Sequence, residues 1–553
     1  MQPKPQLNRQ SKPQLNRQSI PGGVRWSCPE QPPPRNGYPQ QVLSGLMWKV
    51  PRWLAGITVM LMWGMSAQAQ AAPRFKRFSL PLTLEFAQVY PFDMNGDRLL
   101  DLVVMEVDRS RRTPSMQVSV YLQTPAGFSP QPVSSTPVAT QAMMGGLGQF
   151  SRGPGLVLLF PGGVEVWPWT GKGFSDKDAM WAPVASLYSV ASGEIKPEPD
   201  WVEDLNGDGR HEILAPGFNA VRVLRESPPG KLEVMATLPF FPQSKIVTLI
   251  RRKVVQFDMP DMRLLDIDGN GWKDVLLFSD NLLYIYQLKD GKRPSTRPDF
   301  SMDLLPPQPF SPSNPVDPPL WFQEAVDLNR DGLPDLVFTK NTPTDSAFKS
   351  TTSTLVYLGH QKTKTTPHLW FSSKPDQAFV TEGFSLPYVM DTNRDNLKDL
   401  VLVNVDLSFW NAMKGLITRT VNAQAAYFFM EPGGRYPAQP QKIATYSVKF
   451  SLGRFDHQPI VAFGDLNGDG FQDLLLSIDK DNLGIHWGNP SGVWPSSPAD
   501  KITESFPIEQ KRLHVLDLNH DGRDDLLITY IRDDLRKTGH AVHSLTVLLS
   551  QAP

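Results

Sequence analysis

A chain of 553 residues that is 40 % apolar and 20 % charged has the composition of a folded protein and not of a disordered one. No nucleic-acid partner is expected, and its single cysteine excludes a disulfide framework or a thiolate metal cluster. Fifty-three prolines and 40 glycines exceed what a helical protein tolerates and suit many short strands joined by turns.

In chain order, residues 4–19 are two copies of the unit KPQLNRQS, followed by PEQPPPRNGYPQQ. This polar, proline-rich stretch cannot bury a core. Lys49 and Arg52 then precede an apolar run of 13 residues, Trp53–Met65, and two A-x-A sites end at Ala69 and Ala71. That is the layout of a secretory signal peptide over 47–71, and the run is short for a membrane span. The competing reading is an uncleaved anchor. A signal peptide belongs at a chain start, so we take Met47 as the initiator and residues 1–46 as a disordered extension outside the translated protein. Cleavage would export residues 75–553 to the periplasm or beyond, with no stable membrane span.

One motif then recurs seven times: D-x-[DN]-x-[DN]-x-x-x-[DE], followed at once by an apolar run. The first copy, DMNGDRLLD, places Asp93, Asn95, Asp97 and Asp101 at positions 1, 3, 5 and 9. The second has Asp204, Asn206, Asp208 and Glu212, and the third Asp266, Asp268, Asn270 and Asp274. The fourth has Asp327, Asn329, Asp331 and Asp335, and the fifth Asp391, Asn393, Asp395 and Asp399. Asp465, Asn467, Asp469 and Asp473 form the sixth; Asp517, Asn519, Asp521 and Asp525 form the seventh.

The intervals between first aspartates are 111, 62, 61, 64, 74 and 52 residues. The long first interval holds a decayed copy, Gly146–Trp169, with the glycine turn and the apolar run but no carboxylates. Eight units of about 60 residues each hold four short strands, the size of a propeller blade. The fold class predicted is all-β: a closed β-propeller of about eight four-stranded blades, with seven as the alternative. The C-terminal unit is a strand short, and FSLPLTLEF (Phe78–Phe86) lacks a partner, so the N-terminal strand is expected to close the last blade and remove the open edges.

Oxygen-only ligands, mostly carboxylates, suit a hard cation of flexible coordination, calcium rather than zinc or copper. Up to seven Ca²⁺ sites are expected, structural in role, because three crowded carboxylates repel one another without a cation. Position 12 is apolar in every copy (Val104, Ala215, Leu277, Phe338, Leu402, Leu476, Ile528), so these are not EF-hands. Arg98 and Asn396 replace the position-6 glycine of the first and fifth loops. The first loop is expected to be the weakest, and those at Asp465, Asp517 and Asp204 the best. Residues beyond 71 carry net charge −8; seven Ca²⁺ would bring it to +6, mildly favourable to acidic polymers.

These loops, and Phe463-Gly464 ahead of the sixth, resemble the FG-GAP or VCBS repeat of integrin-α-like β-propellers. The resemblance covers about residues 75–553, is specific in the loops, and departs elsewhere, since most units lack the FG and GAP elements. It implies calcium held at one face, between the first and second strands of the blades, in an exported or surface-exposed binding module. Some polysaccharide lyases use a similar calcium-studded eight-bladed propeller, so an enzyme stays open.

No G-x-S-x-G elbow, H-E-x-x-H or nucleotide-binding glycine loop is present, and nine histidines lack ligand spacing. The preferred reading is therefore a monomeric binding or adhesion module for a carbohydrate or protein ligand; the rival is a lyase-like enzyme with its site at the central funnel. Trp167, Trp169, Trp370, Trp410, Trp487 and Trp494 are candidates to stack on sugars, with inter-blade packing the preferred role for each. Val405–Pro437 reads as the longest insertion, with Trp410 on it.

Overall fold

The computed structural model describes residues 75–551 except 109–113, 186–200, 242, 250–251, 280, 305–319, 344–349, 364–365, 406–419, 450–459, 480, 508–509 and 531–543. The expected extension (1–46), signal peptide (47–71), Cys28 and Trp410 lie outside the described residues.

Eight four-stranded antiparallel sheets form a ring, an eight-bladed β-propeller. Blade 1 comprises Glu85–Phe92, Asp101–Asp108, Ser115–Tyr121 and Ser134–Val138. The decayed unit is blade 2 (Met144–Phe150, Gly153–Phe160, Gly163–Pro168, Met180–Pro183), in which a two-residue turn, Ser151-Arg152, replaces the acidic loop. Blades 3 to 7 begin at Val202, Asp261, Leu320, Phe384 and Val461. Blade 8 takes Leu513–Leu516, Asp525–Ile528 and Ser544–Ser550 from the C-terminal end.

The N-terminal strand closes the ring as expected, but with shifted bounds: Phe75–Pro81 pairs with blade 8, and Glu85 and Phe86 already belong to blade 1. Phe75–Pro81 runs antiparallel to Ser544–Ser550, from Phe75 opposite Ser550 to Pro81 opposite Ser544. Leu80 is fully buried there, and the Arg77 guanidinium grips Glu504 of blade 7 with two bonds of 2.7 and 3.1 Å.

Why the run after each loop is continuously apolar is plain from the packing. The second strand of a blade is covered on both faces by neighbouring blades, so alternation is lost: Asp274–Ser279 is buried at every residue. Hydrophobic clusters bridge blade to blade around the whole ring. Leu156 and Val103 share one cluster between blades 1 and 2, Leu276 and Phe338 another between 4 and 5, and Leu475 and Leu526 a third between 7 and 8. Leu527 and Val104 share the core that joins blade 8 to blade 1.

Val405–Pro437 is not a single insertion. Thr420–Phe428 within it is the third strand of blade 6, paired with Asp399–Val405 and Lys442–Lys449. It alternates polar Asn422 and Gln424 with apolar Ala423 and Ala425, but alanine's weak strand preference hid it; the strand is held by pairing on both sides. Among the described residues, no helix is long and apolar enough to cross a membrane.

Candidate metal centres

All seven acidic loops join the first strand of a blade to the second, and position 9 is the first residue of that second strand each time. Meandering blades put these connections at one end, so the seven loops lie on one face of the ring.

The local fold follows from carboxylates capping backbone N–H groups. In the sixth loop Asp465 Oδ1 accepts Gly468 N–H (2.7 Å) and Asp469 N–H (3.1 Å), and Oδ2 accepts Gly470 N–H at 2.6 Å. Asn467 Oδ1 accepts Asp469 N–H (2.9 Å), and Asp469 Oδ1 accepts Phe471 N–H (2.8 Å). The bond from position 6 to position 1 recurs in every loop, including those with Arg98 and Asn396 at that place, which adopt φ of +73° and +66°. Position 4 also takes positive φ: glycine in four loops, but Arg330, Arg394 and His520 in the other three. That second left-handed demand is visible in the sequence as Gly96, Gly207, Gly269 and Gly468.

Position 9 does more than face the loop. Asp473 is completely buried, its Oδ2 accepting Leu466 N–H (3.0 Å) and its Oδ1 accepting Gly488 N–H (2.8 Å) beyond the third strand. Asp101, Asp274, Asp335, Asp399 and Asp525 repeat this double clamp, with second donors Gln123, Leu288, Gly359, Met430 and Ser550. Burial pushes Asp274, Asp335, Asp473 and Asp525 up to about 7, Glu212 likewise, and Asp101 to about 6, against the pull of those N–H donors.

The donor set fits a hard divalent cation. In the third loop, carboxylate oxygens of Asp266, Asp268 and Asp274 lie within 4.8 Å of one another. Here Asp268 stands where the other loops carry asparagine. Asp465 Oδ2 and both Asp473 oxygens accept one N–H each and keep a second lone pair, so the capping bonds do not exhaust the ligands.

Neighbouring loops are stitched together. The N–H at position 8 donates to a carbonyl of the preceding blade: Leu100 to Leu518, Lys273 to Leu205, Lys398 to Leu328 and Asp524 to Asp465, at 2.7–2.9 Å. His211 donates to Gln149 of loop-less blade 2 in the same way. Pro334 has no N–H to give. Between blades 6 and 7, Arg394 donates to the Asp469 carbonyl (2.6 Å) and stacks over Phe471.

The tryptophan candidates divide. Trp167 and Trp494 are buried, donating to Glu165 (2.8 Å) and to the Gln472 carbonyl (2.7 Å). Trp169 packs on Phe174, Trp370 on His360, and Trp487 donates to Asp500. Among the described residues the strongly exposed tryptophans are Trp181 and Trp321, neither of them a candidate from the sequence.

Residues 450–528 match the model of the FG-GAP-like repeat family. Together with the eight-bladed ring, this agrees with an FG-GAP repeat β-propeller. No curated protein matches the chain. Among solved structures it is similar to an Agrocybe aegerita lectin described for recognition of non-reducing terminal N-acetylglucosamine, at 14 % identity over 81 % of this chain and 94 % of that one, TM-score 0.36. It is also similar to the Nup133 β-propeller domain of Vanderwaltozyma polyspora, at 11 % identity over 74 % and 96 %, TM-score 0.34.

Proposed function

We propose that this FG-GAP repeat β-propeller is an exported binding or adhesion module for a carbohydrate or protein ligand, braced by up to seven Ca²⁺. The observation that carries the reading is the ring of seven oxygen-lined loops on one face, with Asp266, Asp268 and Asp274 in mutual ligating range. Bound calcium would neutralise crowded carboxylates at the stations where adjacent blades are stitched, a role that disulfides cannot fill in a chain with one cysteine. Asp, Asn and Glu at positions 1, 3, 5 and 9 of each loop would hold the ion, with the position-7 carbonyl. Export rests on the signal-peptide layout of residues 47–71.

Exhaustive chelation, followed by a melting scan and readdition of Ca²⁺ or Mg²⁺, tests the metal. A lowered melting temperature that Ca²⁺ alone restores supports the reading; an unchanged one sinks it. N-terminal sequencing of the exported protein tests the start, since any peptide from residues 1–46 refutes initiation at Met47.

A further inference from the structure

The first strand of blade 2 carries glycine at 145, 146 and 148, and side chains of the flanking blades lean into the space. A Cβ at Gly145 would lie 2.5 Å from the Tyr90 hydroxyl, and one at Gly146 would lie 2.9 Å from Trp201 Nε1. That indole N–H donates to the Gly145 carbonyl at 2.9 Å and fixes the ring against the strand. Even so, a cavity of about 480 Å³ remains, walled by the first strands of blades 8, 1, 2 and 3. First strands are innermost, so this is an alcove of the axial channel, and its volume falls within the range of about 300–1,000 Å³ usual for small-molecule sites.

Its lining sets a few polar groups in a larger apolar wall and carries no net charge. Glu203 is paired with Lys273 Nζ at 2.7 Å. The His211 Nδ1 accepts the Gln149 N–H at 3.2 Å, which makes that ring neutral and leaves its Nε2–H as a donor. Gln88 and His514 add amide and imidazole groups, while Phe92 and Leu147 supply apolar wall. A charged ligand would meet no unpaired countercharge among these residues and would bear its desolvation uncompensated. A neutral ring compound with many hydroxyls meets both donors and acceptors beside an apolar surface.

We propose that this channel alcove binds a neutral pyranoside, with Gln88, His211 and His514 as its hydrogen-bonding groups. The inference deepens the binding-module reading and rests on it; of its three hydrogen-bonding groups only His211 belongs to an acidic loop.

The test titrates neutral methyl hexopyranosides, and the corresponding methyl hexuronides, onto the full chain by ligand-observed NMR. Saturable binding of a neutral pyranoside is expected, weakened at least tenfold by Gln88→Trp, which fills the alcove, and unchanged by Trp321→Ala on blade 5. Should Gln88→Trp fail to fold, His514→Ala must weaken the same binding at least threefold. Equal affinity in the alcove variants overturns the site while leaving a binding module, and binding of hexuronides alone overturns the neutral assignment. If no pyranoside binds, the alcove proposal fails; adhesion of the same protein to an immobilised protein ligand would then keep the broader reading alive.

Discussion

Asp524 holds Asp465 by both of its polar ends. The Asp524 backbone N–H donates to the Asp465 carbonyl, and its Oδ2 accepts the Asp465 backbone N–H, each at 2.7 Å. Asp524 stands at position 8 of the last acidic loop and Asp465 at position 1 of the loop before it, so one residue ties blade 8 to blade 7 at the face where the carboxylates crowd.

Replacing Asp524 with alanine leaves the Asp465 N–H without an acceptor, at a cost of about 1–3 kcal/mol for an unpaired, partly buried donor. Asp524→Asn keeps an oxygen in place and is expected to lose less. Thermal melting of the two variants beside the parent checks the order; equal melting temperatures for all three would dismiss the clamp.

Arg98 is exposed and left-handed, at φ +73°. Arg98→Gly relieves strain of about 1–2 kcal/mol but frees the unfolded chain by about 0.5–1 kcal/mol, for a net gain of about 0–1.5 kcal/mol. A small rise in melting temperature is expected. A fall would mean that the arginine side chain carries a contact worth more than its backbone costs.

The closing strand predicts a failure mode. Leu80→Ala empties a fully buried site and is expected to cost about 2–4 kcal/mol. A chain starting after Pro81 would expose Ser544–Ser550 as an open edge and should form dimers or larger aggregates, seen by light scattering after size exclusion. A monodisperse, fully stable truncated protein would contradict the closure.

The position-9 acids set a pH dependence in the chelated protein. Their folded-state values are raised, from 3.8 or 4.5 to about 6 for Asp101 and about 7 for Glu212, Asp274, Asp335, Asp473 and Asp525. The unfolded state therefore releases these protons first, and the stability they contribute is present below about 4 and lost as pH rises to about 7. Burial lowers His211, His486 and His514, which act oppositely below 6.5, but they are fewer. Melting temperature in chelator should fall between about pH 4 and 7, and saturating calcium should abolish that fall by holding the acids ionised. A chelated protein that gains stability over this range would refute it.

Much of the candidate site was legible because each loop is local. Positions 1 to 6 are joined by bonds spanning five residues or fewer, so Asp465 and Gly470 reveal their relationship in the written chain. The second partner of position 9 was not legible: Asp473 meets Gly488 fifteen residues on, and Asp399 meets Met430 thirty-one residues on, both across a strand whose length the motif does not specify. Aromatic roles were equally hidden. Trp494 and Trp321 look alike in sequence, yet one is buried between blades and the other is 60 % exposed.

Taken alone, the order of residues determined the repeating unit, its oxygen-rich turn, the strand behind it and a spare strand seeking an edge, because all of these arise from near neighbours and from periodicity. Only the assembled ring decided which carbonyl each position-8 N–H would reach and where glycines 145, 146 and 148 would leave a hollow. Those outcomes depend on residues as far apart as Gln88 and His514, which have no reason to meet until eight blades close around one axis.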